Sequence, residues 1–157
     1  MRDNQKHIFV SGAKYVYRKF PLEGRQIAGT DILLAGNDIF KFLRGAQEVI
    51  IFAATLGFDA DRQIAHAQKV SISQALDLDK TANWAIDEVC DNLQVEISEK
   101  FNIAKRRFSC GFGDLSLDIQ PKILKALDAT KTIGLYCNEN NLMIPTKSVT
   151  AFMGVLR

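Results

Sequence analysis

The stretch EVIIFAAT, residues 48–55, constrains the fold more than any other part of this sequence. From Val49 to Ala54 no polar side chain interrupts it. A strand with one wet face would alternate apolar and polar residues. A continuous run is what a strand buried on both faces requires. Gly57 ends the run, and a plausible helix follows over 59–70. The fold class this predicts is α+β, a mainly antiparallel twisted sheet packed with helices, one of them long and central. With 157 residues and 47% hydrophobic content, the chain reads as one domain over 1–157 with enough material for a core.

The long helix is expected over about 73–101. Ala82, Ile86, Val89, Leu93 and Ile97 recur at three- and four-residue steps and mark its core stripe. Asn83, Asp87, Asp91, Gln94 and Ser98 mark a second, polar stripe. A later helix should bury Ile119, Ile123, Leu124 and Leu127. Pro121 fits its first turn, where a missing N–H costs little, and Asp118 is the expected N-cap. Gly36-Asn37-Asp38 should cap a short helix carrying Ile39, Phe40 and Leu43.

Extended segments are expected elsewhere. Residues 15–20 alternate along a strand, Pro21 to Gly24 reads as a turn, and a second extended segment covers 25–34. The end of the chain reads as a meander: 133–137, a turn at 138–141, 142–144, then 148–155.

Several function classes fall away. A net charge of +2 gives no case for nucleic acid or an anionic membrane. No stretch approaches the ~20 apolar residues of a membrane span. The start, MRDNQKHIF, lacks the apolar core of a secretory signal. The three cysteines (Cys90, Cys110 and Cys137) are widely spaced and in no zinc-like pairing, so a reduced, cytoplasmic protein is expected. His7 and His66 are the only histidines and sit near no acid- or cysteine-rich motif, which argues against a metal site. There is no dinucleotide fingerprint, phosphate-binding loop or serine elbow. Cys110 has no evident histidine base to activate it. Asp87 and Asp91 stand four apart on one helical face, either as a solvated acidic stripe or as a pair for an unrelated hydrolase.

The most informative stretch for function is RFSCGFGDLSLDIQPKIL, 107–124. Arg107 leads into a loop with Gly111 and Gly113, and an amphipathic helix follows. Such a loop offers backbone N–H groups and a fixed cation beside a helix start, a natural hold for a carboxylate or phosphate. The alternative for Arg107 is the exposed end of the basic run Lys105-Arg106-Arg107. The next segment, IGLYCNENNLMIPTKSVTAFMG, adds Asn138-Glu139-Asn140, Met143-Ile144-Pro145 and Ser148-Val149. Together with Gly111-Phe112 and the block EVIIFAATLG, this order and spacing resembles the activation domain of cobalamin-dependent methionine synthase over roughly 24–154, and EVIIFAATLG itself looks like the strand and turn of the family's small free-standing members.

The resemblance implies a stand-alone module, shorter at its N-terminus than the full-length enzyme's domain. In that family a cobalamin decayed to the cob(II) state takes one electron and is trapped by a methyl group from S-adenosylmethionine. No proton need move, so the protein's task is to hold methyl and cobalt in line. The implied cofactor is S-adenosylmethionine, with cobalamin held by a partner methionine synthase chain and a flavodoxin-like electron donor. The chain would then be an accessory component of a methyltransferase. Arg107 matches the arginine that pairs with the ligand carboxylate, and Ser109, Cys110 and Gly111 would supply backbone contacts. Phe112 takes the place of a tyrosine facing the corrin, with plain core packing as its alternative. Asp87 lies near an acidic ligand contact on the long helix, with Glu88 and Asp91 open beside it. Glu139 matches the turn glutamate, or is simply a polar turn residue. Pro145 and Ser148 are expected to shape the final strand pair. Met153 stands where the full-length enzyme has a tyrosine beside the ligand, and Cys110 and Ser116 replace loop prolines. Two other readings stay open: an activator of a different corrinoid protein, and a docking module that has lost its ligand.

Overall fold

The computed structural model describes residues 2–104 and 106–157, residue 2 by its backbone alone. Its centre is a four-stranded antiparallel sheet in the order β2-β1-β3-β6, with β1 Lys14–Glu23, β2 Gln26–Ile27, β3 Glu48–Thr55 and β6 Ser148–Val155. β3 lies between β1 and β6 over its full length, with Tyr17 opposite Phe52 and Phe52 opposite Ala151. Every residue of β3 after Glu48 is buried, as its unbroken apolar run requires.

Alternation along β3 sorts the core into two layers. Ile50, Phe52 and Ala54 join Ala151 and Met153 against the long helix α4, Ile72–Lys100, and against Phe9 of α1, Arg2–Ser11. Val49, Ile51 and Ala53 join Phe152 on the opposite face. That face is covered by α2 (Asn37–Phe42), α5 (Gln120–Leu127) and α6 (Ala129–Ile133). α3, Phe58–Val70, lies against α4 on the outside of the first layer. The five stripe residues of α4 are all buried, and Ser71 caps it by accepting from Gln74 N–H at 3.4 Å. Among the described residues no helix is long and apolar enough to cross a membrane.

Several local expectations are corrected. Pro21 does not turn the chain: β1 runs on to Glu23 and Pro21 pairs with Glu48. Its carbonyl accepts from Ala28 N–H on the β2 side, so its missing N–H removes nothing from the β3 ladder. The extended segment 25–34 shrinks to the two residues of β2. Gly29 takes φ 82°, and Thr30 Oγ1 donates to the Ile27 carbonyl while accepting from Ile32 N–H. Asp118 is not the cap of α5. Ser116 Oγ receives Asp118 N–H and starts a turn of 3-10 helix, Leu117–Ile119, which leads directly into α5 with Pro121 in its first turn. The terminal meander divides. β4 (Tyr136–Cys137) and β5 (Met143–Ile144) form a separate two-stranded ribbon, Ile133 ends α6, and β6 crosses to the edge of the main sheet.

Candidate functional site

The chain leaving α4 runs back along the open edge of β6. Leu156 N–H donates to Asn102 O at 2.8 Å, and Ala104 N–H to Gly154 O at 3.2 Å. Phe108 and Phe152 then exchange both backbone bonds, at 3.0 and 2.8 Å. This protects an otherwise exposed sheet edge. It also explains where the side chains go, because neighbours on an extended chain point to opposite faces. Phe108 turns into the layer beneath α5, 5.3 Å from Phe42 between ring centroids. Arg107 turns the other way and meets α4.

Arg107 is only 18% exposed, and its Nη1 donates to Asp91 Oδ1 at 2.8 Å and Gln94 Oε1 at 3.2 Å. Arg106 is a looser second partner of Asp91, at 3.3 Å and far more exposed. The basic run therefore separates: Arg106 is a solvated edge, Arg107 is built in, and Lys105 lies outside the described residues. Of the acidic candidates on α4, the structure brings Asp91 to Arg107. Asp87 is exposed one turn earlier on the same helix, and Glu88 is half-buried.

Beyond Phe108 the chain closes on itself. Phe112 N–H donates to Ser109 O, Gly111 N–H to Leu115 O, and Leu115 N–H to Phe112 O. The amide protons of Gly111 and Phe112 thus hold the loop shape. Gly111 has φ 84°, and a Cβ there would press on Leu117 Cδ2 at 3.2 Å. Asp114 anchors the far end by accepting from Asn37 N–H at 2.8 Å and Asp38 N–H at 3.0 Å. Asp38 Oδ2 in turn accepts from Asp114 N–H at 3.2 Å. This is a capping box whose two halves lie on different segments. The two amide bonds hold the Asp114 carboxyl below its ordinary range. Gly36 itself offers no capping side chain.

Phe112 stands 68% exposed, edge-on to Phe108 at 5.4 Å, so it is not a core residue. Cys110 is half-buried and packs against the core. Burial pushes its thiol up to about 12, against the opposing effect of a hydrogen bond with Thr150. It is no thiolate nucleophile at neutral pH. Cys110 lines a cleft of about 520 Å³ that Asn138, Asn141 and Gln120 also border. Glu139 is exposed at the tip of the β4–β5 ribbon, where Asn138 Oδ1 accepts from Asn140 and Leu142 N–H and makes the turn. It lies on a second cleft, of about 540 Å³, beside Tyr136 and Pro121. Among the described residues no hydrogen bond or ion pair joins Arg107 to Asp87 or Glu139. Met153 is wholly buried against α4 and presents nothing to a ligand. Ser148 Oγ donates to the Pro145 carbonyl at 2.7 Å and shares a 2.7 Å hydroxyl–hydroxyl bond with Thr55 Oγ1, pinning the start of β6.

Sequence reasoning placed Gln94 on the polar stripe without giving it a role. Its three-residue spacing from Asp91 is the signal that the two act together. The Asp38–Asp114 box had no such signal, because its halves are 76 residues apart.

No family model and no curated protein matches this chain. Among solved structures, the crystal structure of the MetH reactivation domain bound to AdoHcy superposes with a TM-score of 0.70 over 91% of this chain. This chain has the fold of that reactivation domain. Sequence identity is 14%, and the match spans 58% of the neighbour's length, so the likeness is one of architecture. The antiparallel sheet and the long helix α4 are the shared frame.

Proposed function

We propose that this chain binds S-adenosylmethionine beside Arg107 and docks onto a separate, cobalamin-carrying methionine synthase chain to support its reductive methylation. The observation that carries this reading is the architectural likeness to a domain crystallised with AdoHcy. The site adds chemistry that suits such a ligand. Arg107 is a rigid, mostly buried cation with both of its bonds at Nη1. Asp91 beside it is an anion, so the pair offers complementary charges to a zwitterionic amino-acid head group. The loop carries no base or nucleophile, and methyl transfer from a sulfonium to a strong nucleophile needs neither. Phe112 is the exposed ring available to the partner's cofactor face. A flavodoxin-like protein would supply the electron.

Calorimetric titration with S-adenosylmethionine and S-adenosylhomocysteine is the first test. Saturable binding, abolished in Arg107→Ala, is the expected result, followed by faster recovery of a cob(II)-inactivated partner synthase. Absence of binding up to millimolar concentration, about −4 kcal/mol, in the presence of the partner would refute it. A second reading, a docking module without a ligand, is favoured by two details: Arg107 is already satisfied by Asp91 and Gln94, and Met153 is buried. Docking that survives Arg107→Ala while the wild type binds no ligand would select that reading.

A further inference from the structure

A second basic pocket lies apart from the Arg107 loop, between the β1–β2 turn and the end of α2. It has a volume of about 230 Å³. Leu22, Leu34 and Leu43 line it with apolar surface, and Arg25 and Arg44 supply its charge. Arg25 is held firmly. Its guanidinium lies 4.5 Å from the centre of the Phe40 ring, and Nη1 donates to Leu34 O at 3.1 Å and Gly36 O at 2.9 Å. Those partners are neutral. Among the described residues no carboxylate lies within ion-pair distance of Arg25 or Arg44.

Arg25 is half-buried, and Asp114, whose carboxyl it helps to hold low, makes no ion pair with it, so part of its desolvation cost stays uncompensated. With the exposed Arg44 beside it over an apolar floor, Arg25 favours an anion that brings apolar surface with it. The volume is below the ~300–1,000 Å³ of pockets for drug-sized ligands, so the occupant is compact. We infer that this pocket binds a small organic carboxylate, its charge between Arg25 and Arg44 and its apolar body on the leucines. The inference does not depend on the proposed function, since none of these residues belongs to the Arg107 loop.

The test is a titration of the whole chain with benzoate, followed by amide resonances. Benzyl alcohol serves as the neutral analogue and inorganic phosphate as an anion without an apolar body. Saturable benzoate shifts at Gly24, Gly45 and Ala46 are expected, with neither control saturating in the same range. Arg44 is exposed and among the described residues its side chain makes no hydrogen bond or ion pair, so Arg44→Ala should fold normally and weaken benzoate about tenfold, one charge-assisted contact. Arg25→Lys keeps the charge but loses the planar fork and should weaken it too. Equal affinity for benzyl alcohol or for phosphate, unchanged benzoate affinity in both variants, or no shift at all would overturn the inference.

Discussion

Gly113→Ala tests how the candidate loop is held, because its effect can be separated into two parts. Gly113 has φ 56°, a left-handed conformation. An alanine there costs about 1–2 kcal/mol in backbone strain, offset by roughly 0.4–1 kcal/mol from a stiffer unfolded chain. The net is about 1 kcal/mol. The second part is contact. A Cβ on Gly113 would overlap Asp38 Oδ2 and lie 3.0 Å from its Cγ, so the carboxylate must move. That oxygen receives Asp114 N–H, a bond worth about 1 kcal/mol.

Gly134 supplies the comparison. It is also left-handed, at φ 71°, but nothing lies within 4 Å of its Cβ position. Gly134→Ala should therefore show the strain alone, about 1 kcal/mol, and Gly113→Ala about 2 kcal/mol. At roughly 2–4 °C per kcal/mol for a chain of this size, the melting temperatures should fall by about 2–4 °C and about 4–8 °C. Urea titrations at constant slope check the same difference. In an Asp38→Ala background the excess should vanish, a coupling of about 1 kcal/mol. Equal losses at Gly113 and Gly134, or an excess that survives Asp38→Ala, would refute the argument that the capping box fixes the loop.

Three further outcomes follow from the structure. Thr150→Val should cost about 1–3 kcal/mol by urea denaturation, because the buried Thr150 hydroxyl donates to buried Gln120 and the variant leaves that amide oxygen unpaired. Burial raises the Cys90 and Cys110 thiols from the ordinary 9.0 to about 12, so only the unfolded chain ionises as pH rises above 9. Stability should then fall by about 1.4 kcal/mol per pH unit for each cysteine, and Cys90→Ala should reduce the slope. Under the proposed function, Arg107→Ala and Asp91→Asn should each weaken S-adenosylhomocysteine about tenfold or more. 5′-Methylthioadenosine, which lacks the amino-acid head, should be unaffected; equal losses for both ligands would remove Arg107 and Asp91 from head-group recognition.

What the sequence disclosed was whatever depends on a residue's near neighbours. β3 was legible because an apolar run needs no partner to be recognised, and α4 because five core residues repeat at helical spacing. The ribbon β4–β5 and the strand β6 were each visible as extended chain, yet their separation was not, since pairing depends on what else competes for the edge of β3. The start of α2 read correctly, but its cap came from Asp114 across the fold. α1 went unread because its polar sequence shows little stripe: Phe9 is its buried side chain, with Val10 packed against the core beside it. At the site, residue type suggested Arg107, and its facing depended on the bridge between Phe108 and Phe152, which no local pattern announces.

That facing decides how the site can work. An arginine already paired with a carboxylate is a poor trap for a simple anion, because the ligand must displace Asp91 and leave it facing a buried cation it no longer contacts. A zwitterion avoids the penalty. Its carboxylate takes the guanidinium while its ammonium takes Asp91, so each charge exchanges one partner for another and neither is stranded. Gln94 can stay bonded to Nη1 throughout and hold the guanidinium in place. Under the proposed function, the Arg107–Asp91 pair is then a preformed receptor for the head group, and the adenosine and sulfur portions supply the remaining affinity along the loop. Under that function the same arrangement would discriminate against ligands with only one of the two charges, unlike the pocket at Arg25 and Arg44, where among the described residues no acid is ion-paired with the cations.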